Sequence, residues 1–111
     1  MASPFKRAVA ANVGTGVVTL LTVAAGKVAT LLDVSCANVE PGSTEVKGTV
    51  RQVAGATTIN LVKAGPIPVG SAMVVVGAPR KVVLVAGDAL TALCDKATGM
   101  DVAVSYMEQD A

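Results

Sequence analysis

Residues 87–106 read GDALTALCDKATGMDVAVSY, and this stretch decides the fold class. Taken alone, Ala89–Lys96 fits a helix, because Leu90, Leu93 and Cys94 recur at helical spacing. It also fits a strand, with Leu90, Ala92 and Cys94 on one side and Thr91 and Asp95 on the other. Gly87-Asp88 before it and Thr98-Gly99 after it bracket the run too tightly for a helix and suit a strand. The next run alternates again, with Val102, Val104 and Tyr106 opposite Asp101, Ala103 and Ser105. Two short alternating runs joined by a glycine turn are the working unit of an all-β chain.

Working outward, the same grammar recurs. Leu32, Val34 and Cys36 oppose Asp33 and Ser35. Glycine-centred turns fall at Ala24–Lys27, Glu40–Ser43, Ala54–Ala56, Pro68–Ser71, Gly77–Arg80, Ala86–Asp88 and Ala97–Gly99. Eight strands are expected, at about 15–23, 28–38, 44–53, 57–63, 71–76, 81–86, 89–95 and 100–108. The segment 5–13 is either a ninth strand or an extended arm. The expected architecture is a single antiparallel β-sandwich, jelly-roll-like, over 15–111, with 1–14 as an N-terminal arm or first edge strand. Met73–Val76 and Val82–Val85 are apolar without alternation. Such runs read as strands buried on both faces, the second face covered by another subunit or by an arm such as residues 1–9.

Composition narrows the function. Hydrophobic residues make up 52% of the 111, yet Phe5 and Tyr106 are the only aromatics. A core of Val, Ala and Leu buries less area per residue, at about 25 cal/mol per Å², so an isolated protomer is expected to gain from partner subunits. The net charge of +1 offers no broad basic footprint for nucleic acid. The pairs Lys6-Arg7 and Arg80-Lys81 lack aromatics for base stacking. Residues 1–32 carry Lys6, Arg7 and Lys27 with no acid, whereas 88–111 carry five acids against Lys96. Opposite ends of this kind suit either solvated charge or contacts between neighbouring copies.

Chemistry is sparse. With no histidine, the commonest general base and metal ligand are missing. No phosphate-binding glycine motif is present. Asp88 reads as a turn residue bonding its own backbone. Asp95 and Asp101 flank a turn without calcium-loop spacing. Cys36 and Cys94 read as small buried hydrophobes, the alternative being a disulfide. No catalytic, cofactor or metal residue is therefore assigned, and no enzyme is expected. Ala8–Gly26 is uncharged, but its Asn, Gly and Thr content argues against a leader or a membrane span. A protein assembled in the cytoplasm is expected.

Several stretches together resemble a known family. They are Asn12-Val13-Gly14-Thr15, Leu61-Val62-Lys63, Pro66-Ile67-Pro68-Val69-Gly70-Ser71, Val74-Val75-Val76, Lys81-Val82-Val83-Leu84, Ala86-Gly87-Asp88-Ala89-Leu90 and Val102–Glu108. The chain resembles the small β-sandwich virion proteins of tailed bacteriophages, over most of its length. The resemblance implies a multicopy virion part: a capsid decoration or cement protein, or a collar at the neck or tail. It implies partners that are copies of the chain, as a dimer, trimer or ring, together with the major capsid protein or neck and tail proteins. A glycan- or receptor-binding module is a third reading, weakened by the absence of Trp. Candidate interface residues are Phe5, Lys6 and Arg7 in the arm, the stiff Pro66-Ile67-Pro68, and Val75 in the run 73–76.

Overall fold

The computed structural model describes residues 4–42, 44–77 and 81–111. The first three residues of the expected arm, Ser43, and Ala78-Pro79-Arg80 of the expected Gly77–Arg80 turn lie outside the described residues. Nine strands form: β1 Phe5–Val13, β2 Val18–Thr22, β3 Lys27–Asn38, β4 Val46–Ala54, β5 Thr57–Ile67, β6 Ala72–Val76, β7 Val82–Val85, β8 Ala89–Cys94 and β9 Met100–Asp110. The ambiguous run at Ala89 is a strand.

The strands make two antiparallel sheets packed as a β-sandwich. The first runs β1-β9-β3-β6, with β7 also on β3; the second runs β2-β8-β4-β5. Six of the eight connections cross between sheets, so most neighbours in a sheet are remote in sequence, the β4–β5 hairpin excepted. β9 lies between β1 and β3, in register Val9↔Ala103 and Ala103↔Ser35. Inward residues alternate as the period of two requires. Val102 and Val104 of β9, Ala29, Leu31, Val34 and Cys36 of β3, and Leu90, Ala92 and Cys94 of β8 are all buried. The largest fully buried side chains are Leu31, Ile67, Leu84, Leu90 and Met100, so the core is aliphatic.

Three boundaries depart from expectation for physical reasons. β1 forms because its inward Ala8 and Ala10 pack on the core while its backbone pairs with β9. β2 starts at Val18, because the residues before it carry the chain from one sheet to the other. β5 runs on to Ile67, with Pro66 paired opposite Lys47. Proline is tolerated there because β5 is the outer strand of its sheet and a missing N–H can face solvent. Within β5, Ala64 has a positive φ of 53°, and its N–H donates to Thr49 Oγ1 at 3.0 Å. The register with β4 shifts nearby, as a bulge does.

The apolar runs of β6 and β7 are corrected by the structure. In the single chain they are buried on one face only: Val76 and Leu84 point inward, while Val74, Val83 and Val85 are more than half exposed. Val75 is half-buried and sits at a register shift against β3.

The crossing from β1 to β2 is locked to the β8–β9 turn. Cys94 N–H donates to Gly14 O at 2.9 Å, and Gly99 N–H donates to Val13 O at 2.9 Å. A Cβ on Gly14 would lie 2.5 Å from the backbone oxygen of Ala97. That oxygen belongs to a turn held on both sides and cannot yield cheaply. Gly16 has open space around it. Gly14→Ala is therefore expected to lower unfolding free energy by about 2–4 kcal/mol, and Gly16→Ala by less than about 0.5 kcal/mol. Urea denaturation followed by circular dichroism compares the two, and equal losses would show that the crossing is not sterically locked.

Candidate functional site

The polar residues with catalytic potential are used by the fold. The turn carboxylate of the buried Asp88 accepts from Val85 N–H at 3.1 Å. Asp95 accepts from Lys47 N–H at 2.8 Å and Asp101 from Asn12 N–H at 2.9 Å, so each caps a neighbouring strand's backbone. No group of three or more Cys, Asp or Glu able to hold a metal occurs among the described residues. Cys36 and Cys94 are buried free thiols. Cys94 Sγ lies 3.1 Å from Val13 O and 3.2 Å from Lys96 O, so its proton has two carbonyls to meet. Burial pushes the Cys36 thiol up to about 11, with Cys94 nearby adding to the effect.

The opposite charges of the two chain ends meet inside the molecule. β9 brings Glu108 to Lys6 at 3.3 Å and Asp110 to Lys27. Asp110 holds the Lys27 ammonium above its ordinary range, and Lys27 holds the Asp110 carboxyl below its own. The Lys27–Asp110 pair is solvent-exposed and contributes little to stability, and the Lys6–Glu108 pair is partly covered on its Glu108 side.

What remains is a surface. Outward residues on the β1-β9-β3 sheet line up in cross-strand rows. One row runs Phe5, Met107, Thr30, Val83; another runs Val9, Ala103, Ser35, Val74; between them lies Arg7, Ser105, Asp33. Five of the nine large exposed hydrophobics of the described residues lie on this face: Phe5 and Val9 on β1, Val74 on β6, and Val83 and Val85 on β7. The remaining four, Val17, Val39, Ile59 and Val69, belong to the other sheet or to loops. Small side chains along β9 and β3 leave a shallow depression lined by Val9, Ser35, Ala37 and Ala103. The opposite outer face carries Arg51 bonded to Asn60, with Thr19 and Thr91 in the same row. Lys is absent from the outward positions of β1, β9 and β3 in these rows. Arg7, Asp33 and Asp101 are the charges on this face, beside rows that are otherwise apolar or small, and such apolar enrichment marks a candidate protein contact.

The residues singled out from sequence fall in different places. Phe5 and Arg7 are exposed on this face, and Lys6 at its end pairs with Glu108. Pro66 and Pro68 are exposed at the edge of the other sheet, while Ile67 between them is fully buried in the core. Val75 is half-buried beside the exposed Val74. The arm and the proline segment are therefore not one site. Val9, Val74, Val83 and Ala103 escaped sequence reasoning as a group. Their signal was the excess of Val at outward positions, which becomes visible only once the register is known.

No family model matches the sequence, and no curated protein matches it. Ten chains of solved structures match. One is a pentameric capsid protein isolated from metagenomic phage sequences, 17% identical, covering 94% of this chain and 62% of its own, with a TM-score of 0.46. A second pentameric capsid protein from metagenomic phage sequences is 18% identical, covering 96% of this chain and 60% of its own, with a TM-score of 0.43. This chain thus spans about three-fifths of the length of those two proteins.

The Cys36 environment sets an alkaline limit on stability. The folded thiol titrates near 11, above the roughly 8.5 of an unfolded cysteine. Between those values the folded state keeps a proton that the unfolded state has lost. The contribution is whole below about pH 8.5 and falls as pH rises toward 11. Urea midpoints taken at pH 8 and pH 10.5 are expected to fall by the equivalent of about 2 kcal/mol, and Cys36→Ala to show a smaller fall. The same fall in both proteins would assign the loss to other groups.

Proposed function

We propose that this chain is a non-enzymatic structural subunit of a phage virion, most simply a capsid decoration or cement protein that acts through subunit contacts. The observation that carries this reading is the row of exposed apolar side chains on the β1-β9-β3 sheet, on a chain whose Asp88, Asp95 and Asp101 carboxylates bond to backbone and whose thiols are buried. A small domain that leaves Val9, Val74, Val83 and Val85 in water has a reason to bury them elsewhere.

The strand order supports the same reading. With β6 and β7 taken as two halves of one strand against β3, the sheets read β1-β9-β3-β6/β7 and β2-β8-β4-β5. That is the order of an eight-stranded jelly roll, which viral capsid proteins, lectins and cupins share. A cupin-type metal centre relies on imidazole ligands, and this chain has no His. A lectin-type site stacks sugars on exposed aromatics, with Trp foremost; this chain has no Trp, Tyr106 is half-buried and packed on the core, and Phe5 is the one exposed aromatic among the described residues. The structural role is the one the residues suit. A ring-shaped collar is the alternative location in the particle. Its head-to-tail charge argument weakens once Lys6 and Lys27 are seen to pair within the chain.

Quantitative mass spectrometry of purified particles tests the role and the location together. Many copies per particle, in proportion to capsomers, are expected for a decoration protein. A ring-sized copy number would place the chain at the neck or tail, and absence from the particle would sink the virion role. At residue level, Val74→Asp is expected to change folding stability by no more than about 0.5 kcal/mol while weakening subunit assembly. Val75→Asp, half-buried against the core, is expected to cost roughly 2–4 kcal/mol. Thermal melts and an assembly assay separate the two, and a Val74→Asp protein that assembles normally would show that this face is left in water.

A further inference from the structure

We infer that the open edge of β1 pairs antiparallel with the β1 edge of a second copy of this chain, so that two copies share one continuous sheet. The inference concerns the edge of the first sheet and not its outer face, and so goes beyond the role proposed above.

The sandwich has two open flanks, with β1 beside β2 at one and β5 beside β6 at the other. An open edge offers N–H and C=O groups to any strand that fits, and proteins blunt it with proline, bulges or short strands. Three of the four edges are blunted in this way. β5 carries Pro66 and the left-handed Ala64, with register shifts against β4. β2 has five residues and a register shift against β8. β6 and β7 divide their edge into strands of five and four residues. β1 is long and regular, in unbroken register with β9 from Phe5 to Ala10. Glu108 N–H donates to Pro4 O at 2.8 Å, which sets the phase of the ladder. The even-numbered residues of β1 therefore bond to β9, and Arg7, Val9 and Ala11 turn their N–H and C=O to the open side. The flank behind them is thinly covered. Ala8 and Ala10 of β1 and Val18 and Leu20 of β2 pack on the core yet stay half-buried.

The charges along this edge choose a second copy as the occupant. Two identical antiparallel strands are related by a two-fold axis perpendicular to the sheet, so every contact is made twice. An axis at Val9 sets Val9 against Val9, Arg7 against Ala11 and Ala8 against Ala10. Arg7 is in no ion pair among the described residues. Asp101 uses Oδ1 to accept from Asn12 N–H at 2.9 Å, which holds its carboxylate at β1 with Oδ2 open. Only the small Ala11 of the other copy then stands between Arg7 and that Oδ2. The remaining charges do not oppose the contact. Lys6 stays on its own Glu108 and faces the neutral Asn12. The two Arg7 are four residues apart along the strands, about 14 Å. Lys96 lies in the turn past the end of the pairing, and Asp33 and Lys81 lie toward the other flank. The paired edge, seven residues long, runs along a molecule whose shortest extent is 23 Å. It spans roughly 500 Å² per copy, or roughly 1,000 Å² in all, the lower bound for a specific contact, so the dimer forms reversibly.

Amide hydrogen exchange on the purified full-length chain reads this edge residue by residue. Ala8 and Ala10 are bonded within the chain at any concentration, whereas Arg7, Val9 and Ala11 gain partners only in the dimer. Exchange at those three is expected to slow by about tenfold or more from dilute to concentrated protein, in step with the dimer seen by analytical ultracentrifugation. Val9→Pro removes the central N–H at a place where an edge strand accepts proline. Arg7→Asp sets like charges against Asp101 twice. Each is expected to weaken the dimer by about tenfold or more, with circular dichroism as the folding control. The amides of the unaltered chain decide the matter even where a variant fails to fold. Val74→Asp, on the outer face, is expected to keep the dimer, so the edge contact and the particle role fail separately. A chain that stays monomeric up to about 1 mM overturns the inference. So does a dimer in which Arg7, Val9 and Ala11 exchange as fast as in the monomer. A dimer lost in Val74→Asp and kept in Arg7→Asp also overturns it, and moves the contact to the outer face.

Discussion

The whole molecule hangs on the position of β9. It fills the slot between β1 and β3, so one strand supplies inward Val102 and Val104 to the core and outward Ala103 and Ser105 to the bare face. Its final residues carry Glu108 and Asp110 to Lys6 and Lys27. Its entry is pinned where Gly99 bonds to Val13. Without β9, β1 would have no partner in its sheet, and β3 would hold only β6 and β7. The core, the ion pairs and the candidate contact surface are thus three results of one strand placement.

The aliphatic core explains why that placement must be tight. Leu, Val, Ala and Met fill the space between sheets without a single fully buried aromatic ring. Such side chains bury modest areas, and the stabilisation depends on close packing over the whole interface. The crossing at Gly14 and the turn at Gly99 show how close the backbone comes. A side chain at either position would meet a backbone oxygen or the Cys94 sulfur. The polar groups buried in the process are satisfied: among the described residues no buried side-chain nitrogen or oxygen lacks a hydrogen bond. Polar residues spent in this way are unavailable for chemistry, which links the economy of the fold to its proposed role.

Much of the fold was legible in the sequence because alternation and glycine turns report local geometry. The runs around Leu90 and Val104 became strands with the inward faces their spacing implies; in β3 Val34 and Cys36 point inward as expected, but a bulge between Leu31 and Asp33 puts Leu31 in the core in place of Leu32. β1 was ambiguous because Ala8-Val9-Ala10-Ala11 does not alternate in polarity; only the pairing with β9 decides it. The extension of β5 through Pro66 was hidden, since a proline reads as a stop unless its strand is known to be at an edge. The charged ends were visible, but sequence has no means of saying that their partners lie within the same chain. The candidate surface was legible only in part. Phe5 and Arg7 lie on it, and the run of Val at 74–76 pointed toward it. The proline segment belongs to the far edge of the other sheet, because which sheet a strand joins is a property of topology and not of local pattern.

The interleaved strand order also governs when the protein exists as such during its synthesis. β1 leaves the ribosome early yet must wait for β9, some ninety residues later, before it has a neighbour in its sheet. β2 waits similarly for β8. Early segments therefore emerge with Val9 and Val23 unprotected, and neither sheet can close until its late strand arrives. A nascent chain in this condition has no completed face to offer. Neither face of the first sheet is complete until translation has passed β9, so the order of the strands acts as a clock on folding.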